Sequence, residues 1–240
     1  MGLGLLLCCN AQEVVEEKVV VTDPVWTVSH AGGLVAEPFD LIVMCDAAES
    51  VLRFTQDGSM PTVESAVWEG GAIRIEETTV IRCIAIVGEG IVSRYGVAYL
   101  LVEPEVVRFE SNLPVVVVDS FGIDINRDSQ SDSRSEKRPV WAVFGEQGAE
   151  MMAPPNFSGR AGMRVRGQSS TMFPKKQYSL ELWDEEDDDH DAGLLGLPEE
   201  SDWVLHAPYS DKTLMRNVLA YQWFREMGHY AVQTTYVELF

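Results

Sequence analysis

Four cations crowd one short stretch of a chain that is otherwise strongly acidic. Gly162 to Trp183 reads Gly-Met-Arg-Val-Arg-Gly-Gln-Ser-Ser-Thr-Met-Phe-Pro-Lys-Lys-Gln-Tyr-Ser-Leu-Glu-Leu-Trp. Arg164, Arg166, Lys175 and Lys176 flank a small polar segment, Gly167 to Ser170. Backbone N–H groups and hydroxyls in such a turn donate hydrogen bonds, while Arg and Lys supply charge, so the stretch has the chemistry to hold an anion. The same residues fit a hairpin whose basic face is solvated and pairs with acids elsewhere. Spacing alone favours that more ordinary reading.

The elements around the turn must position these groups. Met163 and Val165 alternate with Arg164 and Arg166, the period of a half-buried strand. Tyr178, Leu180 and Leu182 alternate with Ser179, Glu181 and Trp183, which predicts a second strand. Lys176 lies two residues from Tyr178 and should share its side, with Lys175 on the other. Upstream, Leu113 to Asp119 is an almost continuous β-branched run, as in strands buried on both faces, and Pro139 to Phe144 resumes a strand. Asn126 to Arg138 and Gly145 to Gly159 read as exposed loops. Downstream, Leu194 to Pro198 is an apolar turn and Trp203 to Leu205 a short strand. Ser210 or Asp211 caps a predicted helix that runs to about Met227 and stops at Gly228. Its apolar residues spread round every side, so burial is expected. Arg216 opposes the helix dipole and needs an anionic partner, either a carboxylate in a buried ion pair or a bound phosphate. Gln233 to Phe240 alternates like a strand whose outer edge is unpaired.

The strongest charge run is Asp184 to Asp191, Asp-Glu-Glu-Asp-Asp-Asp-His-Asp. Clustered carboxylates are hard-cation ligands, but the spacing of a calcium loop is missing, and a solvated flexible loop is expected. Overall, 18 Lys and Arg face 38 Asp and Glu in 240 residues, for a net charge of −20. Such a surface excludes nucleic acid and anionic membranes as partners. Hydrophobic residues make up 46%, enough for a buried core.

Met1 to Ala11 is apolar and ends in small residues, which reads either as a clipped secretory signal peptide, giving a leader over 1–18, or as a short buried N-terminal strand, the first being preferred; no segment is long enough to span a bilayer. Residues 19–103 are strand-rich, with Gly32-Gly33, Asp57-Gly58 and Gly88 to Gly90 as punctuation, and predict a β-sandwich. Asp57 reads as a turn former rather than a ligand. Cys45 and Cys83 both fall on predicted strands, and both a disulfide and two buried thiols are open. His30, His190, His206 and His229 are scattered, without zinc spacing.

Arg-Gly-Gln-Ser-Ser, Phe-Pro-Lys-Lys-Gln-Tyr, Leu-Leu-Gly-Leu-Pro, Ser-Asp-Trp-Val-Leu and Tyr-Ser-Asp-Lys-Thr-Leu-Met-Arg-Asn follow one another between Arg166 and Asn217. In that order they resemble the CotH kinase family, named for spore coat protein H, over roughly residues 105 to 240. Leu-Arg-Phe-Thr-Gln-Asp-Gly-Ser-Met-Pro-Thr at Leu52 to Thr62 and Thr-Thr-Val-Ile-Arg at Thr78 to Arg82 resemble the chitobiase/β-hexosaminidase C-terminal-type module, a small immunoglobulin-like sandwich on surface proteins. The resemblance implies a mostly β chain. A sandwich over 19–103 precedes an α+β domain over 104–240 that is the N-terminal lobe of a protein-kinase-like fold. It implies a secreted or cell-surface protein, ATP and Mg2+ as cofactors, and phosphoryl transfer to protein Ser or Thr. Arg166, Gly167, Ser169 and Ser170 then match the turn over the nucleotide. Lys175 and Lys176 match paired lysines and Arg216 the arginine of Leu-Met-Arg-Asn, with Lys176 favoured to meet phosphate. The family's magnesium-binding and catalytic carboxylates come after the strand at which this sequence ends, so no catalytic or metal residue is expected within it. These residues alone should be inactive. The alternative is a non-catalytic surface protein whose sandwich binds carbohydrate or a partner protein.

Overall fold

A computed structural model describes residues 24–125 and 137–240. The leader over 1–18 and nearly all of the loop expected over Asn126 to Arg138 lie outside those residues. The chain is mostly β, with two short helices. Its elements are β1 (Trp26–Val28), β2 (Gly33–Val35), β3 (Phe39–Leu41), β4 (Val43–Cys45), β5 (Val51–Thr55), β6 (Ala66–Val67), β7 (Ile73–Ile75), β8 (Thr79–Val87) and β9 (Gly90–Leu101). Then come α1 (Pro104–Val107), β10 (Val115–Asp119), β11 (Arg138–Phe144), β12 (Phe157–Arg166), a 3-10 turn at Ser169–Met172 and β13 (Gln177–Leu182). The last are β14 (Ala192–Gly193), β15 (Glu199–Glu200), β16 (Asp202–Leu205), α2 (Arg216–Glu226) and β17 (Glu238–Leu239).

The first half is a sandwich. One layer is the sheet β2-β9-β8-β5-β6, and the pairs β1-β4 and β3-β7 supply the other. Between them pack Leu41, Val43, Ile75, Ile81, Cys83, Val97 and Tyr99. The Asp-Gly turn forms as expected: Gly58 has φ +76°, and Asp57 Oδ1 accepts from the Ser59 amide at 3.0 Å. Cys45 and Cys83 sit on β4 and β8 as free thiols, and burial pushes the Cys83 thiol up to about 12.

The second half is a six-stranded sheet ordered β16-β13-β12-β11-β10-β17. All pairs are antiparallel except the edge strand β17, which runs parallel to β10. Only Glu238 and Leu239 of the expected Gln233–Phe240 strand join the sheet. One face carries the core: Val116, Val140, Ala142, Phe144, Ala161, Met163, Leu180 and Leu182, closed by Leu194 from the apolar turn. The other face of β10 and β11 is also buried. Val117, Trp141 and Val143 pack against Leu34, Val80, Ala98 and Leu100 of the sandwich. This explains the continuous apolar runs, since each strand has a protein layer on both sides.

Two expectations for the helix fail. It starts at Arg216 rather than at Ser210 or Asp211, because Asp211 spends its carboxylate on a turn. Its Oδ1 accepts from the Thr213 amide and hydroxyl, and its Oδ2 from the Arg216 amide at 3.0 Å. The stop is as expected, with Gly228 at φ +85°. No residue of α2 is buried, however. Trp223 is 59% and Met227 66% exposed, and Leu214, Met215, Phe224 and Tyr230 are exposed with them. The helix lies outside both core layers: Val218, Leu219 and Tyr221 are half-buried, Phe224 stacks on His229, and the remaining apolar side chains are exposed among the described residues.

Leu180→Ala should therefore cost about 2–5 kcal/mol by cavity formation. Trp223→Ser should change stability by no more than ~0.5 kcal/mol. Urea denaturation of the two variants checks both values.

Candidate functional site

The hairpin from β12 to β13 presents the candidate groups. The two strands pair in register from Ala161↔Leu182 to Arg166↔Gln177. Gly167 then takes φ +103°, and a Cβ there would fall 2.0 Å from Ser170 Oγ, so the turn requires glycine. The 3-10 turn follows, with Thr171 donating its hydroxyl to the Gln168 carbonyl at 2.7 Å. Ser169 is exposed, and among the described residues neither the Ser169 nor the Ser170 hydroxyl has a hydrogen-bond partner.

The four cations are not equivalent. Arg164 is half-buried and lies near Glu181. Lys176 is half-buried and donates to the Thr171 carbonyl, so its ammonium ties the turn to β13. Arg166 and Lys175 are exposed, and among the described residues neither has an ion-pair partner. The ordinary expectation of a basic face paired with acids is thus met by none of these three: Arg164 feels the charge of Glu181 without an ion pair and leaves its buried Nε without a hydrogen-bond partner, and Arg166 and Lys175 have no acid beside them among the described residues. Lys176, favoured from the sequence, is the lysine already engaged within the turn.

A polar chain joins this hairpin to α2. His206 Nδ1–H donates to Gln177 Oε1 at 2.9 Å, and Asn217 Nδ2 donates to His206 Nε2 at 3.1 Å. Burial, followed by the charge of Arg166, holds the His206 imidazole below its ordinary pKa of 6.5. The arrangement brings Arg166, Gln177, His206 and Asn217 together at one end of the sheet. Local sequence carries no signal that pairs His206 with Gln177, because the contact joins residues 29 positions apart. Arg216 adjoins Asn217 but is 77% exposed and meets Asp211 at 3.5 Å. The expected buried ion pair is therefore an exposed one, since α2 stands clear of the core. Just before it, Leu214 holds φ +60°, with its carbonyl accepting from the Tyr236 hydroxyl at 2.9 Å. Phe173 stacks on Tyr209, and Lys212 lies over the Tyr209 ring at 4.3 Å, which fixes the loop between β16 and α2 against the turn.

The acidic run is in part the solvated loop expected from its composition, with Glu186 to Asp191 exposed, but its first residues are half-buried and ordered. Asp184 Oδ1 accepts from the Glu186 amide at 2.8 Å and the Asp188 amide at 3.0 Å, forming a tight turn. Arg82 of β8, 3% exposed, donates to the Glu185 carbonyl. Arg94 of β9 pairs with Glu186 at 2.7 Å, and Arg160 of β12 pairs with Asp187. Burial pushes the Glu185 carboxyl above its ordinary range despite Arg82 and Arg160. Among the described residues no group of three or more His, Cys, Asp or Glu is placed to hold a metal ion. A cavity between the two halves is lined by Leu34, Val117, Val143, Met151 and Pro154 among others, and none of the candidate cations lines it.

Comparison with protein families matches residues 163–240 to the CotH kinase protein family. Residues 30–95 match the chitobiase/beta-hexosaminidase C-terminal domain. Comparisons with curated proteins and with solved structures gave no match. The end of β12 from Met163, β13, the apolar turn, β16 and α2 fall within the first matched region, and most of the sandwich falls within the second. Residues 163–240 are thus similar to the CotH kinase protein family, and they follow a segment similar to the chitobiase/beta-hexosaminidase C-terminal domain.

Proposed function

We propose that the β12–β13 turn binds the phosphates of a nucleotide, and that the chain acts in ATP-dependent phosphoryl transfer to protein Ser or Thr. One observation carries the reading. Exposed Arg166 and Lys175 and the Ser169 hydroxyl have no hydrogen-bond or ion-pair partner among the described residues, and they flank a turn that requires glycine. Cations and donors left unspent in an acidic protein suit an anionic ligand. The match of this region to the CotH kinase protein family supports a nucleotide as that anion.

Within this reading each group has a task. Arg166 and Lys175 neutralise phosphate oxygens. Gly167 keeps the backbone free to approach, and Ser169 and Ser170 donate hydroxyls. Lys176 holds the turn through Thr171, which replaces the direct phosphate contact expected from the sequence. Arg216 reaches phosphate by exchanging its weak pairing with Asp211. Mg2+, when bound with the nucleotide, supplies further neutralisation of phosphate charge. The leader composition supports secretion, and no described helix is long and apolar enough to cross a membrane.

A glycan-binding sandwich gains no support from the geometry. Trp26 stacks on Tyr95, Phe39 meets Tyr99 edge-on and Phe54 meets Trp68 edge-on, all against the sandwich core. Among its described residues no large aromatic is left as an exposed stacking platform.

Titration calorimetry with ATP and with tripolyphosphate, each with and without Mg2+, tests the proposal. Binding is expected to weaken roughly tenfold to a hundredfold in Arg166→Ala and in Lys175→Ala, the loss of one charge-assisted contact. Arg74→Ala, on the sandwich surface, should bind as the wild type does. No binding, or binding that neither substitution changes, overturns the reading.

His206 offers a second readout. Its depressed pKa means that folding disfavours the imidazolium, so its contribution to stability is complete above pH 6.5 and declines as pH falls through the folded value. Its NMR titration midpoint should lie below 6.5, rise in Arg166→Ala, and rise when phosphate occupies the neighbouring turn.

A further inference from the structure

We propose that the acidic run is an interdomain lock, and that the chitobiase-type module is an obligate cover of the second sheet rather than an appended binding module. The inference stands apart from the nucleotide reading. It begins with β8 and β9, whose residues alternate between two buried faces. Ile81, Cys83, Val97 and Tyr99 face the sandwich core. Val80, Ala98 and Leu100 face the other way, onto Trp141 and Val143 of the second sheet. In a free sandwich that outer face would be an exposed apolar patch with a cation in its middle, a surface soluble modules avoid.

That cation is Arg82, which pairs across the ladder with Gly96. The glycine is what admits the partner: a Cβ on Gly96 would lie 2.5 Å from Glu185 Oε2. The Glu185 carboxylate thus drops onto bare backbone beside a guanidinium that water barely reaches. Arg82 Nε has no hydrogen-bond partner and lies 3.9 Å from Glu185 Oε2, so charge rather than a hydrogen bond links them there. Arg94 and Arg160 grip the next two acids from opposite halves of the molecule. Burying ions is expensive, and such a cluster adds little net stability over an apolar joint. What it supplies is register: acids and arginines match in only one docking of the two sheets. The module's β8–β9 face is therefore closed to any outside ligand.

The experiment uses the whole chain, with a protease site inserted between Glu110 and Ser111. After cleavage the two pieces should co-elute on gel filtration, and the intact chain should melt in a single calorimetric transition. Arg82→Glu should weaken association of the cleaved pieces by at least roughly tenfold. If that variant does not fold, Glu186→Lys, which opposes Arg94 on the exposed side, should weaken association in the same direction. Separation of the wild-type pieces, or two independent transitions, overturns the obligate cover. Association unchanged in both variants overturns the lock.

Discussion

A strand with no solvent face governs this molecule. From Val140 to Phe144 every residue of β11 is buried, three toward the core of the second sheet and two toward the sandwich. A strand of that kind is unstable without a layer on each side, because every other residue would otherwise carry apolar surface into water. The second sheet supplies one layer through its own loops, with Leu194 pressed beneath it. The sandwich supplies the other. The indole N–H of Trp141 also needs a partner inside this joint and finds Ser158 Oγ at 2.9 Å.

The hairpin with the candidate cations grows out of the same arrangement. Along β12, Arg160 belongs to the joint with the sandwich, whereas Arg166 ends the strand in the open. Gly162, midway, has a backbone so close to the Trp183 ring that no side chain would fit there. The indole lies across the strand and donates to Glu181 at 2.8 Å. One β-strand therefore passes from a packed structural end to an unpaired polar end within seven residues. Anchored supports beneath exposed donors are what a rigid anion site needs.

Local features of this fold were legible in the sequence. Alternation placed the hairpin strands, the Asp57-Gly58 turn took its expected form, and Gly228 ended the helix. The double-sided burial of β10 was written in its β-branched run, whereas for β11 the sequence predicted a strand but not its two buried faces. What could not be read depends on distant partners. Asp184 to Asp191 looks solvated by composition, and its exposed second half is, whereas its first half becomes a joint only because Arg82, 103 residues before Glu185, arrives beside it. The helix was expected to be buried because its residues are apolar. Composition states a demand for cover, and the described residues meet it only partly, at Val218, Leu219 and Tyr221. His206 had no local signature, since its two partners come from different elements. Strand parity put Lys175 and Lys176 on opposite sides without saying which meets the nucleotide, and parity cannot tell whether an ammonium turns outward or bends back, as that of Lys176 does, to a carbonyl of its own turn.

The open apolar side of α2 has a colloidal consequence. Trp223, Phe224, Met227 and Tyr230 form a sticky surface on a molecule that carries a net charge of −20. Like charges on copies of the chain repel over the Debye length, about 10 Å at 0.1 M salt and about 3 Å at 1 M. Concentrated salt screens that repulsion and strengthens hydrophobic attraction at the same time. Net charge thus opposes association through these exposed side chains, and salt weakens that opposition.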